Sequence, residues 1–235
     1  MSIESLAAKR HTLAHLLAAT VKEMYPHAKP TIGPSIDTGF YYDFDFGGNG
    51  PTEKDLKKIE KKMRELLPSW KEFSHEEVSA ADARATFVSN EYKTELIDEL
   101  EKSGDVITFY TCGAFTDLCR GGHCEHPSKE IAKDSFALDR IAGAYWRGDE
   151  KNTMLTRIYG LAFDTKEELD AFFARREEAA KRDHRKLGAE LDLFLTSELV
   201  GQGLPLWTPR GTALRTALDS YVWELREKHG YQRVT

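Results

Sequence analysis

A thiol and an imidazole stand four positions apart in D-L-C-R-G-G-H, Cys119 and His123, and two imidazoles, His11 and His15, keep the same spacing in H-T-L-A-H. Cysteine and histidine are the side chains that bind zinc and that give, take or hold a proton near neutral pH. Brought together, the four could hold a metal ion or a water molecule. Each pair alone is a weak signal. H-T-L-A-H lacks the glutamate of the zinc-protease motif, so on its own it reads as a surface or packing pair. C-R-G-G-H is sparse in cysteine for a zinc signature. What carries weight is the presence of both pairs in one chain.

The elements that must position these residues can be read from periodicity. Leu6, Leu13, Leu16, Leu17, Val21 and Met24 recur near the helical period and Pro26 follows, so His11 and His15 share one helix face. Gly121 and Gly122 between Cys119 and His123 predict a turn that brings the second pair to one side. Phe40, Tyr42, Phe44 and Phe46 alternate with Tyr41, Asp43 and Asp45, a strand with one apolar face. Thr52 and Asp55 form a capping box before a helix through Leu56, Ile59, Met63, Leu66 and Leu67, and its lysines form a solvated face.

W-K-E-F-S-H-E-E-V predicts a strand, Ser79 with Asp82 opens a short helix, and a further helix spans Glu91 to Lys102 with Gly104 as its stop. Lys93 falls in the first turn of that helix, where the dipole disfavours a cation; taken alone it reads as a surface lysine. V-I-T-F-Y, S-F-A-L-D-R-I-A-G-A-Y-W-R-G and M-L-T-R-I-Y-G-L-A-F add extended stretches. The mixture predicts an α+β fold, a largely antiparallel sheet with packed helices. From Lys166 one long charged helix begins, whose Arg175 to Lys186 cluster is either a solvated face or an RNA contact. An amphipathic helix through Leu214, Leu218, Tyr221, Val222 and Leu225 follows, stopped by Gly230, and Tyr231 to Thr235 reads as the start of a strand.

The chain has 235 residues, 40% of them hydrophobic, which is enough for a sizeable core. It shows neither a membrane-spanning run nor a secretory leader, and its three cysteines, Cys112, Cys119 and Cys124, suit a reducing compartment; a soluble, cytoplasmic protein without disulfides is expected. The net charge of -6 argues against nonspecific nucleic-acid binding but leaves room for a local basic face.

Seven stretches in order, H-T-L-A-H, I-G-P-S-I-D-T-G-F-Y-Y-D-F, D-L-C-R-G-G-H, A-G-A-Y-W-R-G-D, R-I-Y-G-L-A-F, A-A-K-R-D-H-R-K-L-G and G-L-P-L-W-T-P-R-G, resemble the threonyl-tRNA synthetases, and the resemblance covers essentially the whole chain. It implies an editing domain over residues 1–165, a linker helix over 166–190 and the incomplete opening of a class II catalytic domain over 191–235. The implied activity is proofreading: hydrolysis of the ester that joins serine to threonine tRNA, since one missing methyl gives a binding site only about 1–3 kcal/mol of discrimination.

By the same resemblance His11, Lys93, His15, Cys119 and His123 are the catalytic set. His11 with Lys93 would activate water, and His15, Cys119 and His123 would shape the wall. Tyr42 and Asp117 are substrate-binding, holding the amino acid or the terminal ribose. No cofactor is expected for editing, while ATP, magnesium and zinc belong to the missing catalytic domain, so the chain alone is not expected to charge tRNA. Were zinc present, its ligands would be His11, His15, Cys119 and His123, as in the related alanyl-type editors. The implied partner is tRNA, through its acceptor end, with homodimerisation a property of the full-length parent. A non-catalytic module for the tRNA acceptor end, or a zinc-dependent alanyl-type editor, are the competing readings. Gly122 stands where the family commonly has proline.

Overall fold

The computed structural model describes residues 3–201 and 203–234. It divides into two compact units, Met1–Ala171 and Phe172–Thr235. The first begins with α1 (Ile3–Met24). Leu13, Leu16, Leu17 and Val21 are buried as their spacing requires, and Ala14, Ala18, Thr12 and Thr20 are covered too. The second half of α1 is therefore enclosed almost all round, which an amphipathic stripe alone does not predict.

The enclosure comes from an antiparallel sheet and a second helix. The strands are β1 (Lys29–Pro30), β2 (Ser35–Ile36), β3 (Gly39–Asp45), β7 (Phe136–Tyr145) and β8 (Met154–Ala162), ordered β1-β3-β8-β7 with β2 also paired to β3. α1 packs on β3 and on α2 (Leu56–Leu66), and Phe40, Tyr42, Phe44, Ile59, Met63 and Ile158 fill the space between them. A smaller antiparallel sheet, β4 (Ser74–Glu77), β5 (Thr108–Cys112) and β6 (Phe115–Leu118), ends beside Cys119. α3 (Ala80–Thr86) and α4 (Glu91–Ser103) pack on each other, with Ala83, Ile97, Ile107 and Phe109 forming a separate small core. α5 (Pro127–Glu130) is a single turn. The architecture is α+β with antiparallel sheets and packed helices, as the pattern predicts.

Local signals hold where they are chemical. The Thr52 backbone N–H donates to Asp55 Oδ2 at 2.9 Å, Asp82 N–H donates to Ser79 Oγ at 3.1 Å, and Gly104 ends α4 with φ 74°. Lysines on α2 are solvated and partly paired, Lys62 with Glu23 at 2.6 Å and Lys61 with Glu65 at 3.9 Å.

The second face of β3 is covered too: Asp43 is buried and receives both Nε and Nη2 of Arg157, at 2.7 and 2.8 Å, while that guanidinium lies 3.8 Å from the Tyr41 ring centroid. Three expectations are corrected. Only Ser74–Glu77 of the W-K-E-F-S-H-E-E-V stretch is strand; Leu67–Ser69 forms a tight helical turn, and Trp70 follows it into the core. The long charged helix is two, α6 (Lys166–Lys181) and α7 (His184–Glu190), because Asp183 leaves the helical conformation and caps α7 by accepting from Arg185 N–H. Residues 231–234 form no strand, since no partner strand accompanies them, and Thr235 lies outside the described residues.

The second unit holds α7, a two-residue pairing of β9 (Phe194–Leu195) with β10 (Leu206–Trp207), and α8 (Pro209–Lys228). Two members of the basic cluster pair with carboxylates four residues earlier, Lys181 with Glu177 and Arg182 with Glu178, each at 2.8 Å. None of the described helices is long and apolar enough to cross a membrane.

Candidate active site

α1 delivers His11 and His15 to one spot, and the end of β6 with its following loop delivers Asp117, Cys119 and His123 to the same spot. His11 Nε2 lies 3.2 Å from His15 Nε2 and 3.6 Å from Cys119 Sγ, and Cys119 Sγ lies 3.3 Å from His123 Nε2. The rings are ordered as a stack, with Phe73 parallel to His123 at 4.0 Å and His123 parallel to His11 at 4.3 Å, while His15 meets His123 edge-on at 89°. Phe73 had no signal in the sequence beyond its aromatic type. It forms the back of the site.

Consecutive glycines make the turn possible. Gly121 has φ 92° and Gly122 φ 85°, a region proline cannot enter and other residues rarely adopt, and a Cβ at Gly121 would meet the Tyr110 hydroxyl at 2.5 Å. The backbone of this turn, Gly122 foremost, favours the protonated His11 ring and partly offsets the burial that lowers its pKa. Gly121 N–H donates to Cys119 Sγ at 3.3 Å.

Beneath the quartet lies a buried polar group. Lys93 Nζ pairs with Asp117 Oδ1 at 2.5 Å, and both side chains are 2% exposed. Tyr42 O–H donates to Asp117 Oδ2 at 2.6 Å and Leu118 N–H to Oδ1 at 2.9 Å. Lys93 Nζ also reaches the Tyr42 oxygen at 3.3 Å, and His15 Nδ1 stands 3.4 Å from Asp117 Oδ2 without a well-formed hydrogen bond. Lys93 is thus no surface lysine. Its unfavourable place in the first turn of α4 is explained by the carboxylate it meets, and a buried lysine without such a partner would be far costlier.

Burial sets the protonation of the quartet. It lowers the pKa of His11 against the opposing backbone of the turn, lowers His15 well below the ordinary value with help from His11 and Lys93, and pushes His123 down to about 2. Burial likewise pushes the Cys119 thiol up to about 11 and Tyr42 well above its usual value. At neutral pH, without a metal, these are neutral imidazoles and a neutral thiol.

All the sequence-derived site residues converge. A cavity of about 610 Å³ is lined by His11, His15, Tyr42, Lys93, Asp117 and Cys119, with His123 set behind Cys119 and the apolar Ile32, Leu96, Leu100 and Val106 on its walls. Gly33, which with Pro34 reads in the sequence as a turn, is also a packing constraint: a Cβ there would lie 2.1 Å from Tyr42 Cδ2. Gly33→Ala is expected to push the Tyr42 ring off Asp117, destabilising the chain by about 1–3 kcal/mol in urea unfolding; unchanged stability and an unperturbed Tyr42 would refute this packing role.

His11, His15, Cys119 and His123 also fit a metal. One donor atom from each lies within 4.8 Å of every other. Three of the six donor distances, 3.2, 3.3 and 3.6 Å, are close to the roughly 3.3–3.6 Å edges of a tetrahedron built on zinc–nitrogen and zinc–sulfur bond lengths, and the other three are bounded by 4.8 Å. If His15 turned an Nδ1–H towards Asp117 and His11 kept its proton towards Gly122, two Nε2 lone pairs would oppose each other, a conflict that a cation relieves.

Residues 107–159, which carry β5, β6, Cys119, His123, β7 and the first part of β8, match the family described as the threonyl and alanyl tRNA synthetase second additional domain. Across 99% of its length the chain is 50% identical to a threonine–tRNA ligase of Geobacter sp. (strain M21). It is 49% identical over 95% of its length to that of Flavobacterium psychrophilum, and 47% identical over 99% to that of Rubrobacter xylanophilus. The chain covers 36%, 34% and 36% of those three proteins, about a third of the length of the curated relatives it matches. The resemblance to threonyl-tRNA synthetases read from the seven motifs stands.

Proposed function

We propose that this chain is a proofreading hydrolase that removes serine from threonine tRNA, within a longer protein that joins threonine to tRNA with ATP. The observation that carries the reading is the convergence of neutral His11, His15 and Cys119 with the Lys93–Asp117–Tyr42 group on one cavity, in a chain half-identical to threonine–tRNA ligases. In this reading residues 1–165 are the editing domain, the helices from Lys166 to Glu190 the linker, and residues 191–235 the opening of a catalytic domain. ATP, magnesium and catalytic zinc are assigned to the longer protein, as are homodimerisation and a cytoplasmic setting.

The chemistry follows from the groups present. A water oxygen adds to the ester carbonyl carbon while its proton passes to Nε2 of His11, a residue that lines the cavity with His15. The bond from that carbon to the terminal ribose oxygen then breaks, and the ribose oxygen takes the proton back, leaving serine and tRNA with a free hydroxyl. Lys93 supplies positive charge near the developing oxyanion. Tyr42 and Asp117 hold the amino acid or ribose, Asp117 chiefly through Lys93 and Tyr42, because its oxygens already accept from them and from Leu118 N–H.

We assign no metal to this reaction. The zinc reading, favoured by the three donor distances near tetrahedral edges, is the second; in it His11, His15, Cys119 and His123 would hold the ion, which would polarise a bound water. Hydrolysis of seryl-tRNA by the purified chain, with and without chelator and with metal content measured, separates the two. Activity that survives chelation in metal-free protein is the expected result; one tightly held zinc per chain, with activity lost on its removal, would establish the second reading.

A further inference from the structure

We propose that Thr12, between the two helix histidines, is a positioning residue: its hydroxyl donates to His123 and so fixes the direction of a hydrogen-bond row, Thr12 to His123 to Cys119 to His11, that leaves His11 Nε2 free of a proton. The inference deepens the proofreading reading and rests on it for its catalytic meaning.

Thr12 is fully buried, so its hydroxyl proton needs an acceptor. Its oxygen accepts from Cys124 N–H at 3.2 Å and from the Cys124 thiol at 3.4 Å, which occupies both lone pairs. The remaining contact is His123 Nδ1 at 3.4 Å. The buried Thr20 on the same helix turns its hydroxyl to the Leu16 carbonyl at 2.7 Å, four residues back, whereas the hydrogen bonds of Thr12 run to Cys124 and His123. Thr12 O–H therefore donates and His123 Nδ1 accepts.

A neutral imidazole that accepts at Nδ1 carries its proton at Nε2. That N–H points at Cys119 Sγ, 3.3 Å away, and the Cys119 S–H then has two acceptors, His11 Nε2 at 3.6 Å and the Gly121 carbonyl at 3.8 Å, of which His11 is the nearer. His123 does not line the cavity; Cys119 and His11 do. Thr12 thus acts on the reacting groups through two intermediaries, and it biases His11 towards the acceptor form that taking a proton from water requires. The opposite direction, His123 Nδ1–H donating to Thr12, is what a metal on His123 Nε2 would impose, so the tautomer also separates the metal-free and zinc readings.

Long-range proton–nitrogen correlation spectra of the ¹⁵N-histidine-labelled chain at pH 7.5, without substrate, read the tautomer directly. The expected result is His123 protonated at Nε2 in the native chain and a shift towards Nδ1 in Thr12→Val. In seryl-tRNA hydrolysis, Thr12→Val is expected to lower kcat by up to about 10²-fold, the cost of a misplaced catalytic group, with KM little changed, and Thr12→Ser to keep most of the native rate. A native His123 protonated at Nδ1, or a Thr12→Val chain that keeps full kcat, would overturn the proposal. The native-chain spectrum needs neither a folded variant nor activity, so it stands even if the proofreading reading fails.

Discussion

Replacing Lys93 by methionine is expected to abolish deacylation and to cost the chain several kcal/mol of stability. Methionine keeps the stem that lies under Tyr42 but leaves Asp117 buried with its strongest partner gone, and breaking one side of a buried ion pair typically costs about 3–5 kcal/mol. Asp117 keeps Tyr42 and Leu118 N–H, which places the loss towards the lower end. The two effects can be separated. Lys93→Met with Asp117→Asn removes the orphaned charge, so the double variant should regain most of the stability in urea unfolding. Its hydrolysis of seryl-tRNA should stay down by on the order of 10²–10⁴-fold, the usual share of a lost acid–base or oxyanion group. A Lys93→Met chain of near-native stability, or a double variant with native activity, would remove the pair from the centre of the account.

The second large effect is a loss of stability on mild acidification. His15 and His123 are held neutral by burial, with His123 pushed down to about 2. In the unfolded chain both return to about 6.5. Below that value the unfolded state binds more protons than the native state, so stability is fully present above about pH 6.5 and falls as pH drops towards the native values. Between pH 7 and pH 5 each such histidine removes about 2 kcal/mol, and the two together about 3–4 kcal/mol. Urea midpoints measured in chelator at pH 7.5, 6.5 and 5.5 should therefore decline, with His123→Gln halving the slope. A flat profile would mean that these imidazoles are protonated in the native chain.

Much of this could be read from residue patterns because it is local. The capping pairs Thr52–Asp55 and Ser79–Asp82, the stop at Gly104, and the shared face of His11 and His15 depend on chain neighbours, and all of these appear. The turn at Gly121 and Gly122 was legible for the same reason. Lys93 was not legible from the residues alone, because its burial depends on Asp117, which reaches it from another element. The burial of Asp43 was hidden for the same cause: Arg157 covers it from the neighbouring strand. The break at Asp183 did have a local signal, an aspartate able to cap a new helix, but the surrounding charge pattern continues the helical period and hides it. Thr12 lay in view inside H-T-L-A-H, yet a threonine in a helix carries no sign of its use until Cys124 and His123 are seen against it.

The measurement that tests the central claim most directly is single-turnover hydrolysis of seryl-tRNA and threonyl-tRNA, both made on threonine tRNA, by the purified chain. The account predicts rapid release of serine, retention of threonine, and loss of the serine activity in the Lys93→Met and Asp117→Asn double variant. Binding of either aminoacyl-tRNA with both esters left intact would contradict it, and would make this chain a module that holds the acceptor end without acting on it.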